Sequence, residues 1–265
     1  MKRIYYLIKV SVEKSFKDII RYKFNTISDI LSFYILFIAL FFGMKFFGSA
    51  MEVTPIKLGE TLEGFVAGYF LWTIMYMAYS DTAYSITNDA NKGTLEQISM
   101  SHMGLHNIII VRSLTDLAVN LLICFAVLFS IMATTNYWLN INIFELIILI
   151  ILGIFSILGI GLIFGGLALI FKKIQSLLNI VQYFLIGIVI TGAREFESVL
   201  TWIMPFRAAT EGIYRITIGG DSILNFSVID ISKIIVNSAV YFIVGLFIFN
   251  QCSLIAKKRG LLGQY

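Results

Sequence analysis

Ionisable side chains are rare inside the apolar stretches of this sequence, and three of them point to one place. Asp81 lies near the end of one apolar stretch, and Arg112 and Asp116 lie near the start of the next. Arg112 and Asp116 are four residues apart, so on a helix they share a face. Charges inside a membrane are costly and are usually paired or functional. The sequence therefore predicts an Asp81–Arg112 or an Arg112–Asp116 ion pair, which is either a structural tie or a relay of motion between the two stretches.

A short polar segment separates these two stretches, and it contains helix signals. Gly93 permits a bend, and Thr94 is a favourable residue at the N-cap of a helix. Gln97 follows Thr94 at the spacing of a capping box, and Glu96 offers a carboxylate to a partner. The pattern predicts a short, stiff, capped helix that is either an ordinary surface helix or a docking lever. Its residues are Gly93, Thr94, Leu95, Glu96, Gln97 and Ile98.

The sequence contains none of the common catalytic motifs. There is no GxxxxGKS/T phosphate loop, no HExxH zinc motif and no GxSxG nucleophile turn. His102 and His106 have the spacing of a helical metal pair, but no convincing third ligand accompanies them. We therefore expect no catalytic residue, no metal site and no cofactor bound by this chain.

The elements that position these residues follow from a very apolar composition. Hydrophobic residues make up 58% of the 265 residues, charged residues make up 14%, and the mean hydropathy is +0.88. A soluble domain carries about 25% charged residues, so this chain cannot bury its apolar surface in one water-soluble core. Apolar stretches of about 20 residues cross a bilayer as helices. The sequence predicts an all-α integral membrane protein whose six-span domain covers 25–265, with spans at about 27–47, 64–87, 108–134, 143–171, 174–192 and 234–256.

Other segments are amphipathic and unsuited to crossing the bilayer. In residues 1–24, Lys and Arg alternate with apolar residues at helical spacing. This predicts a helix along the membrane surface, which serves as an anchor or also contacts a cytoplasmic partner. Between the fifth and sixth predicted spans, residues 199–206 and 208–216 predict two short re-entrant or interfacial helices on the outer side.

The distribution of Lys and Arg orients the predicted spans. Fourteen of the twenty fall on the side that holds both termini and the polar segment at 93–98, and six fall on the other side. Membrane proteins concentrate these residues in cytoplasmic loops, so both termini are predicted to be cytoplasmic. The net charge is only +4, which gives no reason to expect nucleic-acid binding.

The polar segment also resembles a known element. Residues 89–101, with Gly-Thr-Leu-Glu-Gln-Ile at 93–98, closely resemble the first cytoplasmic loop of type-2 ATP-binding-cassette (ABC) transporter permeases. The amphipathic start, six spans, cytoplasmic termini and short outer helices before the last span agree with that family. The resemblance implies that a separate cytoplasmic subunit holds ATP and Mg, rests on residues 93–98, and moves a pair of permease subunits, identical or different.

In that family the second and fifth spans border the pathway between the two subunits. The resemblance therefore implies that polar side chains on these spans line the pathway, although they are equally suited to joining helices within one subunit. These side chains are Tyr69, Thr73, Tyr76, Asn179, Gln182 and Tyr183.

The function predicted from the sequence is that of the membrane subunit of an ABC exporter, surrounded by lipid in a cell membrane and not catalytic alone. The use of many Ile, Asn and Lys residues suggests a bacterial source. One alternative is an ion-coupled secondary transporter, which typically carries midplane carboxylates; here the carboxylates cluster near one face. Another is a non-transporting scaffold for a cytoplasmic complex, which predicts no dependence on ATP.

Overall fold

The computed structural model of the protein describes residues 2–50, 55–139, 142–171, 174–192 and 202–260. Every regular element within these ranges is a helix, which confirms the predicted all-α fold. The helices are α1 (Lys2–Arg21), α2 (Lys23–Ala50), α3 (Pro55–Asn91), α4 (Leu95–Ser99), α5 (Leu105–Thr135), α6 (Ile143–Phe171), α7 (Gln175–Gly192), α8 (Arg207–Thr217) and α9 (Val228–Lys258), with a short 3-10 turn at Ile223–Asn225.

Four helices in the described ranges are long and apolar enough to cross a membrane, namely Lys23–Phe46 within α2 and the whole of α5, α6 and α9. Helix α6 has the bounds that the sequence predicts. Helix α3 begins at Pro55 rather than at residue 64, because proline suits the first turn of a helix, where its missing N–H is not needed. The more polar α3 and the shorter α7 do not meet the same criterion, so the count of six spans stays a prediction.

Helix α6 lies at the centre of the bundle, and its glycines allow close approach by two neighbouring helices. A Cβ atom on Gly159 would lie 2.3 Å from the carbonyl oxygen of Tyr241, and one on Gly245 would lie 2.3 Å from the carbonyl oxygen of Gly159. Helices α6 and α9 therefore pack backbone against backbone. Gly161 and Gly165 face α3 instead. The small residues of α6 thus serve packing within the subunit.

Helix α8 fills the end of the bundle away from α4. It packs against α6, α7 and α9, and Arg207 at its start is fully buried. The hydroxyl of Tyr214 donates a hydrogen bond to the carbonyl oxygen of Gly64 near the start of α3, at 3.3 Å. The short helix predicted at 208–216 is therefore present, and it lies within the bundle rather than along its surface. The other predicted short helix, at 199–206, begins outside the described residues.

Helix α1 packs against α5 and is separated from α2 by a turn at Tyr22. Ser11 is buried on the packed side, whereas Tyr5, Val10 and Ile20 are exposed among basic side chains. An unpacked apolar and basic face is what a helix at a membrane surface needs. The placement of α1 at that surface stays a prediction.

Candidate functional site

The loop between α3 and α5 is anchored by one buried side chain. Gly93 has a φ of 68°, a backbone conformation that favours glycine, and it makes the turn after α3. Helix α4 then begins at Leu95, whose side chain is fully buried. Glu96 and Gln97 are exposed, and Ile98 is half-buried. The short helix predicted here is five residues long, and its apolar side is fixed to the bundle.

Thr94 contacts the end of α3 rather than capping α4. Its backbone is helical, with φ −88° and ψ −13°, and its side chain accepts no hydrogen bond from α4. The backbone N–H and the hydroxyl of Thr94 both donate to the carbonyl oxygen of Asp89, at 2.9 and 3.2 Å. The predicted capping box of Thr94 and Gln97 is therefore wrong, because an N-cap side chain reaches the next turn from an extended backbone. Thr94 instead ties the loop to α3.

Asp89 also holds the first turns of α5. Its carboxylate accepts hydrogen bonds from the Arg112 guanidinium at 2.5 and 3.4 Å, and 11% and 14% of the two side chains are exposed. The ion pair of Arg112 is thus with Asp89, and the predicted pairing with Asp81 or Asp116 is wrong. Asp89 joins three elements: the end of α3, the loop through Thr94, and α5 through Arg112.

The register of α3 against α5 explains the change of partner. The two helices run antiparallel, and the Asn120 amide of α5 donates to the carboxylate of Asp81. One turn further from the loop, the sulfur atoms of Cys124 and Met77 lie 3.5 Å apart. Helix α3 continues past its predicted end at residue 87, so Asp81 lies deeper in the bundle than Arg112 and meets Asn120 instead.

Asp116 connects α5 to α1. It accepts a hydrogen bond from the hydroxyl of Ser15, and it shares a face of α5 with Arg112. One side of α5 therefore makes polar contacts with two other helices. Asp116 contacts α1, and Arg112 contacts Asp89 at the end of α3. This arrangement links the position of the loop to three longer helices, α1, α3 and α5.

The outer side of the loop presents a mixed surface, which we call the loop surface. Met100 is 79% exposed there, although methionine is a side chain that usually packs. An exposed flexible apolar side chain among polar groups suits contact with another protein. The described part of the chain holds no group of three His, Cys, Asp or Glu side chains placed for a metal ion. The loop surface consists of Lys92, Glu96, Gln97, Met100, His102 and His106, all exposed.

The polar side chains expected to line a pathway fall into two groups. On α3, Tyr69 and Thr73 are buried within the subunit, and the Tyr69 hydroxyl donates to the carbonyl oxygen of Phe33 in α2 at 2.6 Å. Tyr69 therefore joins α3 to α2, which is the alternative stated from the sequence, whereas the Thr73 hydroxyl donates to the carbonyl oxygen of Tyr69 within α3 at 2.9 Å. Tyr76 is half-buried among aromatic rings.

On α7 the same prediction concerns side chains at the surface of the subunit. Asn179 and Tyr183 are exposed, and Gln182 is half-buried. A pathway role for these three side chains stays a prediction.

Sequence reasoning missed three residues of this site: Asp89, Asn120 and Ser15. Asp89 falls in the loop if α3 ends at the predicted residue 87, and a loop residue is not an expected partner for Arg112; α3 in fact continues to Asn91. A signal was available, since an acidic residue near the end of one helix and a basic residue near the start of the next suggest a pair across the connection. Asn120 and Ser15 are common neutral residues, and only the register of the helices identifies them.

Comparison with known proteins supports this description. A family model described as "ABC-2 family transporter protein" matches residues 57–249, from the first turn of α3 to the second half of α9. A search of curated proteins finds no match. The matched region contains α3, the loop, α5, α6, α7 and α8, and it covers well over half of the chain. The chain therefore belongs to the ABC-2 family of transporter proteins, in which it is a membrane-embedded permease component.

Proposed function

We propose that this chain is the membrane subunit of an ABC exporter and that a separate ATP-binding subunit docks on the loop surface. The proposal rests on the way in which α4 is attached to the bundle. Leu95 fixes it to the bundle, and Thr94 and Arg112 tie the loop to α3 and α5 through Asp89. Glu96, Gln97 and Met100 face outward. A helix that is exposed on one side and fixed on the other can take a force from a partner and pass it on.

The same contacts suggest how the force would be transmitted. A partner that displaces α4 displaces Thr94 and thus the end of α3. Asp89 couples that movement to α5, because its carboxylate is bound to Arg112 in a mostly buried pair. Asp116 extends the coupling to α1 through Ser15. The ends of three helices would therefore move together, and this is the relay that the sequence suggested with different partners.

The proposed assembly contains two permease subunits, either identical or different, and two copies of the ATPase with ATP and Mg. Helix α7 offers a surface for the second subunit, since Ile180, Tyr183 and Phe184 are more than half exposed there. Asn179 and Gln182 lie on the same helix. Pairing through α7 would place these polar side chains beside the boundary between subunits.

The proposed orientation puts the loop and both termini in the cytoplasm of a bacterial cell, with the cell membrane as the location. This follows from the excess of Lys and Arg on the loop side. A docking partner that hydrolyses ATP is cytoplasmic, so the orientation and the docking proposal support each other.

Co-purification tests the docking of the partner. The tagged full-length chain is purified from its native membranes, and we expect a subunit with a phosphate-loop ATPase sequence to accompany it. Met100→Asp should reduce the recovered ATPase at least tenfold. Leu224→Asp is the matched control, because Leu224 is 89% exposed at the opposite end of the bundle. If Met100→Asp leaves recovery unchanged, the loop surface is not the docking site.

A second measurement separates an exporter from a scaffold. In inverted membrane vesicles, an exporter accumulates its substrate only when ATP is supplied. A scaffold would retain the ATPase without any transport that depends on ATP. The ATPase activity of the purified complex is also measured with added membrane components. If none of them changes this activity, the result favours the scaffold.

A further inference from the structure

A small cavity lies between α8 and α9 at the end of the bundle away from the loop. Its volume is about 20 Å³, which is room for one water-sized group. Each helix contributes one acidic and one basic side chain to the wall, namely Glu211 and Arg215 from α8 and Asp230 and Lys233 from α9. The other lining residues are Ala208, Gly212, Phe226 and Ile234. The cavity therefore presents charges of both signs on an otherwise apolar wall.

Among the described side chains, one of the two possible ion pairs across this cavity is formed and the other is open. Arg215 contacts Asp230 at 3.3 Å, and outside the cavity it contacts Asp221 at 3.2 Å. Glu211 and Lys233 are half-buried, and no described side chain forms an ion pair with either of them within 4.0 Å. We call Glu211 and Lys233 the open pair. Partly buried charges without a contact are incompletely satisfied, so a ligand that reached both would gain two strong contacts.

The open pair borders surface that is suited to contact with lipid. Lys233 shares a face of α9 with three apolar side chains that are 48% to 62% exposed, namely Ile229, Val236 and Val240. The Nζ atom of Lys233 lies 5.7 Å from the centre of the Trp202 ring, which is 46% exposed. Tryptophan at the end of a membrane span is typical of the level of the lipid headgroups. A headgroup at this level is therefore within reach of the open pair.

We propose that the open pair binds the headgroup of phosphatidylethanolamine from the leaflet opposite the loop. The primary ammonium of the lipid enters the cavity and donates hydrogen bonds to the Glu211 carboxylate. The phosphate stays at the mouth and accepts a hydrogen bond from the Lys233 ammonium. One zwitterionic headgroup thus supplies both missing charges and joins α8 to α9. This inference concerns a bound membrane lipid and does not depend on the proposed export.

The size and the charges of the cavity favour this headgroup over others. A primary ammonium is about the size of a water molecule and fits the cavity, whereas the trimethylammonium of phosphatidylcholine is several times larger. Phosphatidylglycerol brings a phosphate but no cation for Glu211. A metal ion is disfavoured because Arg215 and Lys233 line the same cavity and repel it. A single water molecule fits as well, but it brings no charge to either side chain.

The test measures lipid binding to the purified full-length chain in detergent, without any partner or ATP. Dioleoyl phosphatidylethanolamine and dioleoyl phosphatidylcholine are titrated separately, and native mass spectrometry gives the apparent Kd of the first bound lipid. We expect the ethanolamine lipid to bind about tenfold more tightly, because only its ammonium enters the cavity. Glu211→Gln should remove this preference by weakening the ethanolamine lipid alone. Lys233→Gln should weaken both lipids about threefold, because both carry the phosphate.

Two further variants and a soluble competitor make the result specific. Asp221→Asn removes an acidic charge at the same end of the bundle but outside the cavity, and it should leave the preference unchanged. Glu211→Asp keeps the charge and should retain most of the preference, which covers the case in which Glu211→Gln folds poorly. Glycerophosphoethanolamine carries the same headgroup without acyl chains, and at equal concentration it should not displace the lipid.

Three results would overturn the proposal. Equal binding of the two lipids by the wild-type chain would mean that the cavity holds water only. Equal losses of preference in Glu211→Gln and Asp221→Asn would mean that the preference reflects charge at this end rather than the open pair. Displacement by glycerophosphoethanolamine would assign the cavity to a soluble zwitterion. None of these results bears on the ATPase co-purification, so the two proposals fail separately.

Discussion

Both ends of the bundle contain ion pairs, but the pairs differ in burial and in the elements that they join. At the loop end, Asp89 and Arg112 are mostly buried and join α3, α5 and the loop. At the opposite end, Arg215 of α8 contacts Asp221 and Asp230 at 3.2 and 3.3 Å, and these side chains are 31% to 42% exposed. Exposed pairs contribute about 0–1 kcal/mol, whereas removing one partner of a buried pair costs about 3–5 kcal/mol. The loop end therefore depends on its ion pair far more than the opposite end does.

Other contacts hold the middle of the bundle and its opposite end. Helices α6 and α9 meet at backbone distance through Gly159 and Gly245. Glu145 at the start of α6 accepts hydrogen bonds from the Ser222 hydroxyl at 3.0 Å and the Ile223 N–H at 2.7 Å. Close packing allows little sliding, while a polar contact can exchange partners. We infer that α6, α8 and α9 form the fixed part of the subunit, and that α1, α5 and the last turn of α3, beyond its contacts with Gly161 and Gly165, form the part that responds to the loop.

The largest effect is expected where the fixed part is packed most closely. Gly245→Leu places a side chain against the carbonyl oxygen of Gly159, which lies 2.3 Å from the position of a Cβ atom. Since backbone atoms cannot move aside, we expect loss of folded protein. The measurement is the monodisperse fraction of a fluorescent fusion in size-exclusion chromatography.

A matched substitution makes this test of packing specific. Gly43 lies in α2 with nothing within 4 Å of its Cβ position. Gly43→Leu should leave the monodisperse fraction unchanged or raise it, because leucine is the better helix former. Equal losses in both variants would mean that glycine content, rather than contact between α6 and α9, sets stability.

The second-largest loss of stability is expected from a substitution that removes the ion pair at the loop end. Asp89→Asn leaves the Arg112 guanidinium mostly buried without an opposite charge, and it should lower the free energy of unfolding by about 3 kcal/mol. Urea or thermal unfolding in detergent measures this loss. Adding Arg112→Gln should recover part of it, because the double variant no longer holds an unpaired charge. A double variant that is less stable than Asp89→Asn would contradict the pairing.

The sequence predicted most of the helices because long apolar runs determine them, and α6 has its predicted bounds. It did not predict the partner of Arg112, since that depends on where α3 ends and on its register against α5. Thr94 shows a second limit: its type and spacing fit a cap, but the carbonyl oxygen of Asp89 takes the hydroxyl hydrogen bond instead. Contacts within a helix can be predicted from the spacing of residues in the sequence. Contacts between helices can be predicted only when the packing of the helices is known.

The third effect concerns the anchor of the loop. Leu95→Ala removes most of a fully buried side chain and should cost about 2 kcal/mol, at the lower end for buried leucines, because the short loop can adjust. The loss should be local, so hydrogen exchange should increase at 93–105 and remain unchanged in α6 and α9. Gln97→Ala is the control, since Gln97 is exposed on the same short helix. Increased exchange throughout the chain would mean that the loop is not a separate unit.

The smallest effect sharpens the comparison of the two ends. Arg215→Gln removes both ion pairs of α8 and the contact with the Phe226 ring, whose centre is 4.5 Å from the guanidinium carbon. Because these groups are about one-third exposed, solvent replaces most of what is lost, and we expect a cost below about 1 kcal/mol. The cost should shrink further in high salt, which screens exposed pairs more than buried ones. A cost as large as that of Asp89→Asn, or one that salt does not change, would mean that both ends rely on charge and that the fixed part has been assigned wrongly.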